Sequence, residues 1–146
     1  MKDKDSKLTR PKLTLSMVVK NEGNRYLEGF LQKHRRYIDE AVIIDDGSTD
    51  NTVAICKEAL DGLKLNLIQN PVSKFSNEIE LRKQQWNETL KTDPEWILNL
   101  DADEIFEDSF EEGIDRLLNR EDVYAYSFRL YDFWDENHYR EDNFWR

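Results

Sequence analysis

The residues with the clearest chemical potential are Asp101, Asp103 and Glu104, three carboxylates within four positions. They follow Trp96-Ile97-Leu98-Asn99-Leu100, a run that reads as a buried strand after Asp93-Pro94. In an extended backbone, residues two apart point the same way, so Asp101 and Asp103 would share a side. Two carboxylates about 4 Å apart repel by roughly 4 kcal/mol at an effective dielectric of about 20. A divalent cation relieves that repulsion, and hard oxygen ligands suit Mg²⁺ or Mn²⁺. A solvated acidic turn closing a strand is the competing account. Asp-x-Asp alone does not separate the two.

The elements that position this cluster repeat a simple alternation. Leu13 to Val19 reads as a first strand, ended by Lys20-Asn21-Glu22-Gly23. Tyr26, Leu27, Phe30 and Leu31 mark one face of a helix running to about Arg36. Ala41 to Ile44 is a second strand, stopped by Asp45-Asp46-Gly47-Ser48. Ser48 or Thr49 is placed to cap the next helix, with Asp50 at its positive end. That helix carries Val53, Ala54, Ile55 and Leu60 and stops at Asp61-Gly62. Leu63, Leu65 and Leu67 alternate with polar residues as a third, half-exposed strand. A polar helix from about Asn77 to Lys91 leads to the fourth strand. Ser109 is placed to cap a helix carrying Phe110, Ile114, Leu117 and Leu118, and Val123 to Leu130 reads as a further strand.

Short apolar strands alternating with helices predict an α/β fold, with a mostly parallel sheet and helices on both faces. The usual right-handed winding orders the strands third, second, first, fourth. The chain then reverses its direction of growth between the first and fourth strands. Ligands in such sheets bind beyond the carboxyl ends of the strands at that switch point. Lys20–Gly23, Asp45–Ser48 and Asp101–Glu104 would converge there. All three loops are polar and two are acidic, so the convergence strengthens the metal reading of the Asp-x-Asp pair.

Composition limits the alternatives. The 146 residues suffice for one domain with a real core. A net charge of −10 opposes a nucleic-acid-binding surface. No stretch approaches the length of a membrane span, and the start of the chain is charged rather than signal-like. Residues 1–11 lack periodicity and are expected to fray. Cys56 is the single cysteine, which fits a reducing cytoplasm and a small buried packing residue. His34 and His138 have no neighbours at metal-ligand spacing, so structural or surface roles are expected. Trp86 and Trp96 are expected in the core or at its rim.

Neither Gly-x-Gly-x-x-Gly nor Gly-x-x-x-x-Gly-Lys follows the first strand. Without a glycine cradle, a diphosphate must be met by a metal and by a base such as Arg82. Asp45 and Asp46 are placed to accept hydrogen bonds from a nucleobase or a ribose. A nucleotidyltransferase would also use metal carboxylates, but it would carry a Gly-rich basic loop that Lys20-Asn21-Glu22-Gly23 does not supply.

Three motifs, in order, are Leu15-Ser16-Met17-Val18-Val19-Lys20-Asn21-Glu22, Val42-Ile43-Ile44-Asp45-Asp46-Gly47-Ser48-Thr49-Asp50-Asn51-Thr52, and Ile97-Leu98-Asn99-Leu100-Asp101-Ala102-Asp103-Glu104. Together they resemble the family 2 glycosyltransferases of the GT-A fold, a Rossmann-like three-layer sandwich. The resemblance covers roughly residues 12–130. The form of the acidic motif looks most like bacterial members that modify lipopolysaccharide core, other cell-envelope glycans or peptides.

The resemblance implies inverting transfer of a sugar from a nucleotide-diphosphate sugar, most simply a UDP-sugar, to an acceptor glycan, lipid or peptide. It implies Val19, Asn21 and Glu22 near the nucleoside, with Asp46 ahead of Asp45 as the base contact. Arg82 would face the diphosphate. Asp103 would ligate Mn²⁺ or Mg²⁺, with Asp101 sharing the metal or lying nearer the sugar. The catalytic base of the family comes from a later acidic motif. Asp132, Asp135 and Glu136 are the candidates, although a polar loop is the favoured account of them. The expectation is therefore a nucleotide-sugar-binding domain over residues 12–146, truncated on its C-terminal side, at the inner face of the membrane or free in the cytoplasm. The alternative is a non-catalytic binding module on the same scaffold, whose aromatic run from Tyr124 to Trp145 would stack on an acceptor sugar or drive self-association.

Overall fold

The strand at the centre of the sheet is β1 (Leu13–Val19), which pairs in parallel with both of its neighbours. A computed structural model describes residues 10–141 of the chain. In chain order the elements are β1, α1 (Leu27–His34), β2 (Glu40–Asp45), α2 (Thr52–Ala59) and β3 (Lys64–Gln69). A 3₁₀ turn (Phe75–Asn77) then leads into α3 (Glu78–Leu90), β4 (Trp96–Asn99) and α4 (Ser109–Leu118). A detached antiparallel hairpin of β5 (Tyr131–Phe133) and β6 (Tyr139–Glu141) follows. The main sheet runs β3-β2-β1-β4 and is parallel throughout, the order expected from the winding.

The alternation along β1 assigns its two faces. Leu13, Leu15, Met17 and Val19 point into one core with Leu27, Phe30, Leu31, Cys56, Leu60, Ile114 and Leu118. That layer holds α1, α2 and α4. Thr14 and Ser16 point the other way, toward Gln85 and Thr89 of α3, and all four are buried. The result is the three-layer sandwich expected for the GT-A fold. Burial of the large apolar side chains supplies the stability, at roughly 1.5–3 kcal/mol for each Leu, Ile, Phe or Met. Cys56 is fully buried, as expected for a packing residue.

Several boundaries differ from the sequence pattern. The second helix is held by Asp50, whose Oδ1 accepts from the Thr52 amide at 3.0 Å and from its hydroxyl at 2.5 Å. Ser48 and Thr49 are drawn instead to the loop after β1. Ser109 lies inside α4 rather than capping it. Residues 123–130 do not form a strand. Their aromatic side chains dock one at a time: Tyr126 stacks on Trp96 and donates to the Leu117 carbonyl, and Phe128 meets Phe106 and Phe110 edge-on. Side-chain docking onto α4 thus replaces backbone pairing. The expected fraying of residues 1–11 falls mostly outside the described residues, but Arg10 is anchored, donating to Asp39 and to the Tyr37 carbonyl. Residues 142–146, the end of the aromatic run, also lie outside them. Among the described residues no helix is long and apolar enough to cross a membrane.

His34 is fully buried, and its Nδ1–H donates to the Phe30 carbonyl at 2.7 Å. Its Nε2 is buried without a partner. A second proton would therefore sit on an atom with no acceptor, and burial holds the imidazole below its ordinary value of 6.5. A lowered histidine favours the folded state fully above the unfolded value and is penalised as pH falls below it. Urea unfolding at pH 7 and pH 5 should show the wild type losing about 1 kcal/mol more than His34→Phe over that interval. Equal losses would remove His34 as the cause.

Candidate functional site

β1, β2 and β3 end level with one another. Val19 is opposite Asp45, and Asp45 is opposite Gln69. The Asp46 amide donates to the Val19 carbonyl at 2.9 Å, and the Asn70 amide to the Asp45 carbonyl at 2.8 Å. Three loops therefore leave the sheet at one height. The first two interlock. Ser48 Oγ accepts from the Asn21 amide at 2.9 Å, and Asn21 Oδ1 accepts from the Thr49 amide at 2.8 Å. Thr52 Oγ1 accepts from the Glu22 amide, and Asp50 Oδ2 from the Gly23 amide. Asn21 adopts φ 51°, a left-handed conformation that asparagine tolerates better than most residues. Val19, Asn21 and Glu22 thus form one wall at the strand ends, with the Asn21 carbonyl oxygen already engaged.

Asp45 and Asp46 play different parts. Asp46 is buried, and its carboxylate clamps the loop after β3. Its Oδ1 accepts from Asn70 Nδ2 at 2.9 Å and from the Lys74 amide at 2.8 Å, while Oδ2 accepts from Ser73 Oγ at 2.7 Å. Burial pushes this carboxyl up, but these hydrogen bonds and nearby Lys20 outweigh it and hold the group below its ordinary value. Gly47 follows at φ +82°, where an added Cβ would come within 3.3 Å of the Ser73 amide nitrogen. Asp45 is also buried; its Oδ2 lies 3.4 Å from the Ser48 amide, and its Oδ1 has no partner. The unpartnered oxygen, itself buried, is on Asp45, whereas Asp46 spends both oxygens on the fold.

The acidic motif is a turn. β4 stops at Asn99, so Asp101 and Asp103 are not in the extended backbone expected from the apolar run. The Glu104 amide donates to the Asp101 carbonyl at 3.1 Å, and Glu104 Oε2 accepts from the Asp101 amide at 3.0 Å. Ala102 is buried in the core between them. This anchor leaves Asp101 and Asp103 exposed on the outside of the turn. Burial, with the charges of Asp101 and Asp103, raises the Glu104 carboxyl above its ordinary value despite the Asp101 amide. Arg82 reaches this turn from α3, with Nη2 3.8 Å from Asp101 Oδ1. The resemblance implies Arg82 in the same site as Asp101, and the two side chains lie side by side. Residues it did not single out are Ser73, Asn70 and Lys20, whose Nζ donates to Ser73 Oγ at 3.1 Å. Nothing in the local pattern marks a loop serine as the partner of a strand-end carboxylate.

The downstream carboxylates lie on the hairpin, and the structure does not join them to this turn. Asp135 Oδ1 accepts from the amides of Asn137 and His138, and its carboxylate pairs with His138 Nδ1 at 2.8 Å. Asp132 and Glu136 are exposed. A concavity of about 240 Å³ lies elsewhere, among Phe106, Phe110, Leu117 and Phe128.

A parallel α/β sheet in the order β3-β2-β1-β4, with helices on both faces, is the architecture of the GT-A fold. The sequence model of the glycosyl transferase family 2 matches residues 14–146, and the chain belongs to that family. An uncharacterized glycosyltransferase of Rickettsia felis is 27% identical over 122 residues, covering 82% of this chain and 39% of the relative. One from Rickettsia bellii is 28% identical over 129 residues, covering 86% and 40%. The chain thus spans about two fifths of the curated relatives it matches. Among solved structures, residues 1–349 of S. aureus TarS superpose with a TM-score of 0.54 at 21% identity, covering 70% of this chain and 31% of that one. The UDP complex of the same fragment gives 0.52 at 20%, with the same coverage. These likenesses establish the fold.

If Asp46 is the clamp, Asp46→Ala should unpair the Lys74 amide, leave the Asn70 side chain held by Gln84 alone and destabilise the fold by about 3 kcal/mol, read from urea unfolding. A loss below about 0.5 kcal/mol, the range of an ordinary surface change, would reject that role.

Proposed function

We propose that this domain is the donor-binding part of a glycosyltransferase that moves a sugar from a nucleotide-diphosphate sugar to an acceptor hydroxyl, with inversion and with a divalent metal. The observation that carries the reading is Arg82 facing Asp101 at the end of β4, beside the loops of β1 and β2. Family membership and the fold shared with a UDP-complexed glycosyltransferase structure support it.

The residues fit a hard cation. Asp101 and Asp103 offer exposed oxygens, and with Glu104 they place three carboxylates in one turn, a negative charge that a cation would relieve. Among the described residues no group of three or more His, Cys, Asp or Glu is set to hold a metal. Two carboxylates completed by water and phosphate oxygens are the arrangement Mg²⁺ commonly takes. When bound there, Mn²⁺ or Mg²⁺ would supply Lewis-acid neutralisation of the leaving diphosphate. Arg82 would add a fixed positive group on the same oxygens. Asp45, whose buried Oδ1 has no partner within the chain, is the better choice for a nucleobase or ribose hydrogen bond, next to Val19, Asn21 and Glu22.

Inverting transfer also needs a base that removes the acceptor proton. Asp135 is engaged in its own turn, which favours a second reading in which the described residues bind donor without turning it over. The acceptor would be a cell-envelope glycan, lipid or peptide, with the protein free in the cytoplasm or at the inner face of the membrane. Calorimetry with UDP and Mn²⁺ should show binding, and Asp103→Ala should abolish the dependence on Mn²⁺. A folded chain that binds neither UDP nor GDP would rule out the donor site. Mass spectrometry of sugar released from labelled donor then separates an enzyme from a binding module.

A further inference from the structure

The face of β1 toward α3 is polar at Thr14 and Ser16, although central strands of parallel sheets are usually apolar on both faces. The Thr14 hydroxyl is buried without a partner, whereas Ser16 meets the side chain of Gln85. Gln85 is 5% exposed, and its Nε2 donates to Ser16 Oγ at 3.0 Å and to Asn99 Oδ1 at 3.1 Å. Its Oε1 accepts from Arg82 Nη1 at 3.0 Å. We propose that Gln85 is the positioning residue of the donor site, holding the Arg82 guanidinium opposite Asp101. The proposal rests on the donor-site reading above.

Proton bookkeeping fixes the direction of the Gln85 amide. The Thr89 hydroxyl donates to the Gln85 backbone carbonyl at 2.7 Å. Ser16 and Thr89 hydroxyls lie 2.7 Å apart, so the Ser16 proton goes to Thr89. Ser16 Oγ can then only accept, and the side of the amide facing it must be the nitrogen. Oε1 is thereby turned toward Arg82, where a guanidinium can only donate. The opposite orientation would set a carbonyl oxygen against Ser16 and an NH₂ against a cation. Buried networks of this kind have one satisfied arrangement, which makes them rigid.

Arg82 needs that rigidity. Its side chain is 45% exposed, and its ion pairs with Glu78 and Asp101 are both at 3.8 Å, with the Asp101 side chain 61% exposed. Exposed pairs at such separations hold a long side chain weakly. The bond to Gln85 is shorter, charge-assisted and made to a buried group. Asn99, the last residue of β4, adds a second tie between this network and the strand that delivers Asp101. Through Gln85, one face of the sheet sets where the guanidinium sits relative to the acidic turn.

The test compares wild type with Gln85→Leu, using the ¹⁵N-arginine side-chain resonances of the unliganded chain and calorimetry with UDP and with uridine, each with Mn²⁺. The resonance that disappears in Arg82→Ala marks Arg82. In Gln85→Leu it should collapse into the mobile arginine envelope. UDP affinity should fall about tenfold, the order of one charge-assisted hydrogen bond, with uridine affinity unchanged. Gln85→Leu should cost no further UDP affinity in an Arg82→Ala background. An unmoved Arg82 resonance, equal losses for UDP and uridine, or an undiminished loss in the Arg82→Ala background would each overturn the proposal. Should Gln85→Leu fail to fold, the nearly isosteric Gln85→Met also lacks an acceptor toward Arg82 and should release the resonance; its retention would overturn the proposal equally. If wild type binds neither UDP nor uridine, the donor-site reading fails, and the resonance still decides whether Gln85 holds Arg82.

Discussion

The pairing of β1 with its two neighbours is the constraint from which the rest of the structure follows. With β2 it stays in register up to Val19 and Asp45, but with β4 only up to Ser16 and Asn99. β4 therefore leaves the ladder three residues below the level at which the other strands end. Beyond that point the backbone groups of β1 are not matched by β4, and the chain from Leu100 is free to turn. The gap this opens lies where the strand order reverses, where α/β sheets place their ligands. Asp101 and Asp103 stand at its edge because the ladder stops early, and Ala102 anchors the turn that carries them.

The two faces of β1 divide the work. Leu13, Leu15, Met17 and Val19 join an apolar core that makes the sheet stable. Thr14 and Ser16 give up apolar burial on the other face, and burying a polar group costs free energy unless it is hydrogen-bonded. Ser16 recovers that cost through Thr89 and Gln85. The exchange gives a fixed direction: a satisfied network holds a single geometry, whereas an apolar layer of the same volume tolerates repacking. The polar face sits directly behind Asn99 and Arg82, where geometry matters to charge placement.

The same logic explains what the sequence displayed and what it hid. Strand order and helix alternation were legible because period-two and helical spacings come from backbone geometry and burial, both local properties of the pattern. The meeting of Arg82 and Asp101 was legible because topology brings the helix before β4 to the end of that strand. The order of Asp46 before Asp45 came from the resemblance, since adjacent carboxylates look alike in sequence until Ser73 and Asn70, more than twenty residues away, choose one. Residues 123–130 had a strand-like alternation, but an alternation cannot tell a ladder from aromatic rings docking singly on Trp96, Phe106 and Phe110. Gln85 reads as one more polar residue on a polar helix, and the sequence hint lay elsewhere, in Thr14 and Ser16 of an otherwise apolar central strand.

Charge sets the last requirement. The chain carries a net charge of −10, and the candidate site concentrates Asp101, Asp103 and Glu104 in one turn. A diphosphate approaching that turn meets like charge before it meets Arg82. Burial first, and then the charges of Asp101 and Asp103, raise the Glu104 carboxyl in this turn. One half-exposed guanidinium, itself shared with Asp101 and Glu78, cannot outweigh three neighbouring carboxylates. On the proposed reading, the acidic turn becomes an anion site only through a cation that two of its carboxylates would share with the phosphates. Arg82 then acts as the fixed part of a mixed electrode. Its placement has to be set by something other than the ligand, and the buried amide of Gln85 is the group within reach that can set it.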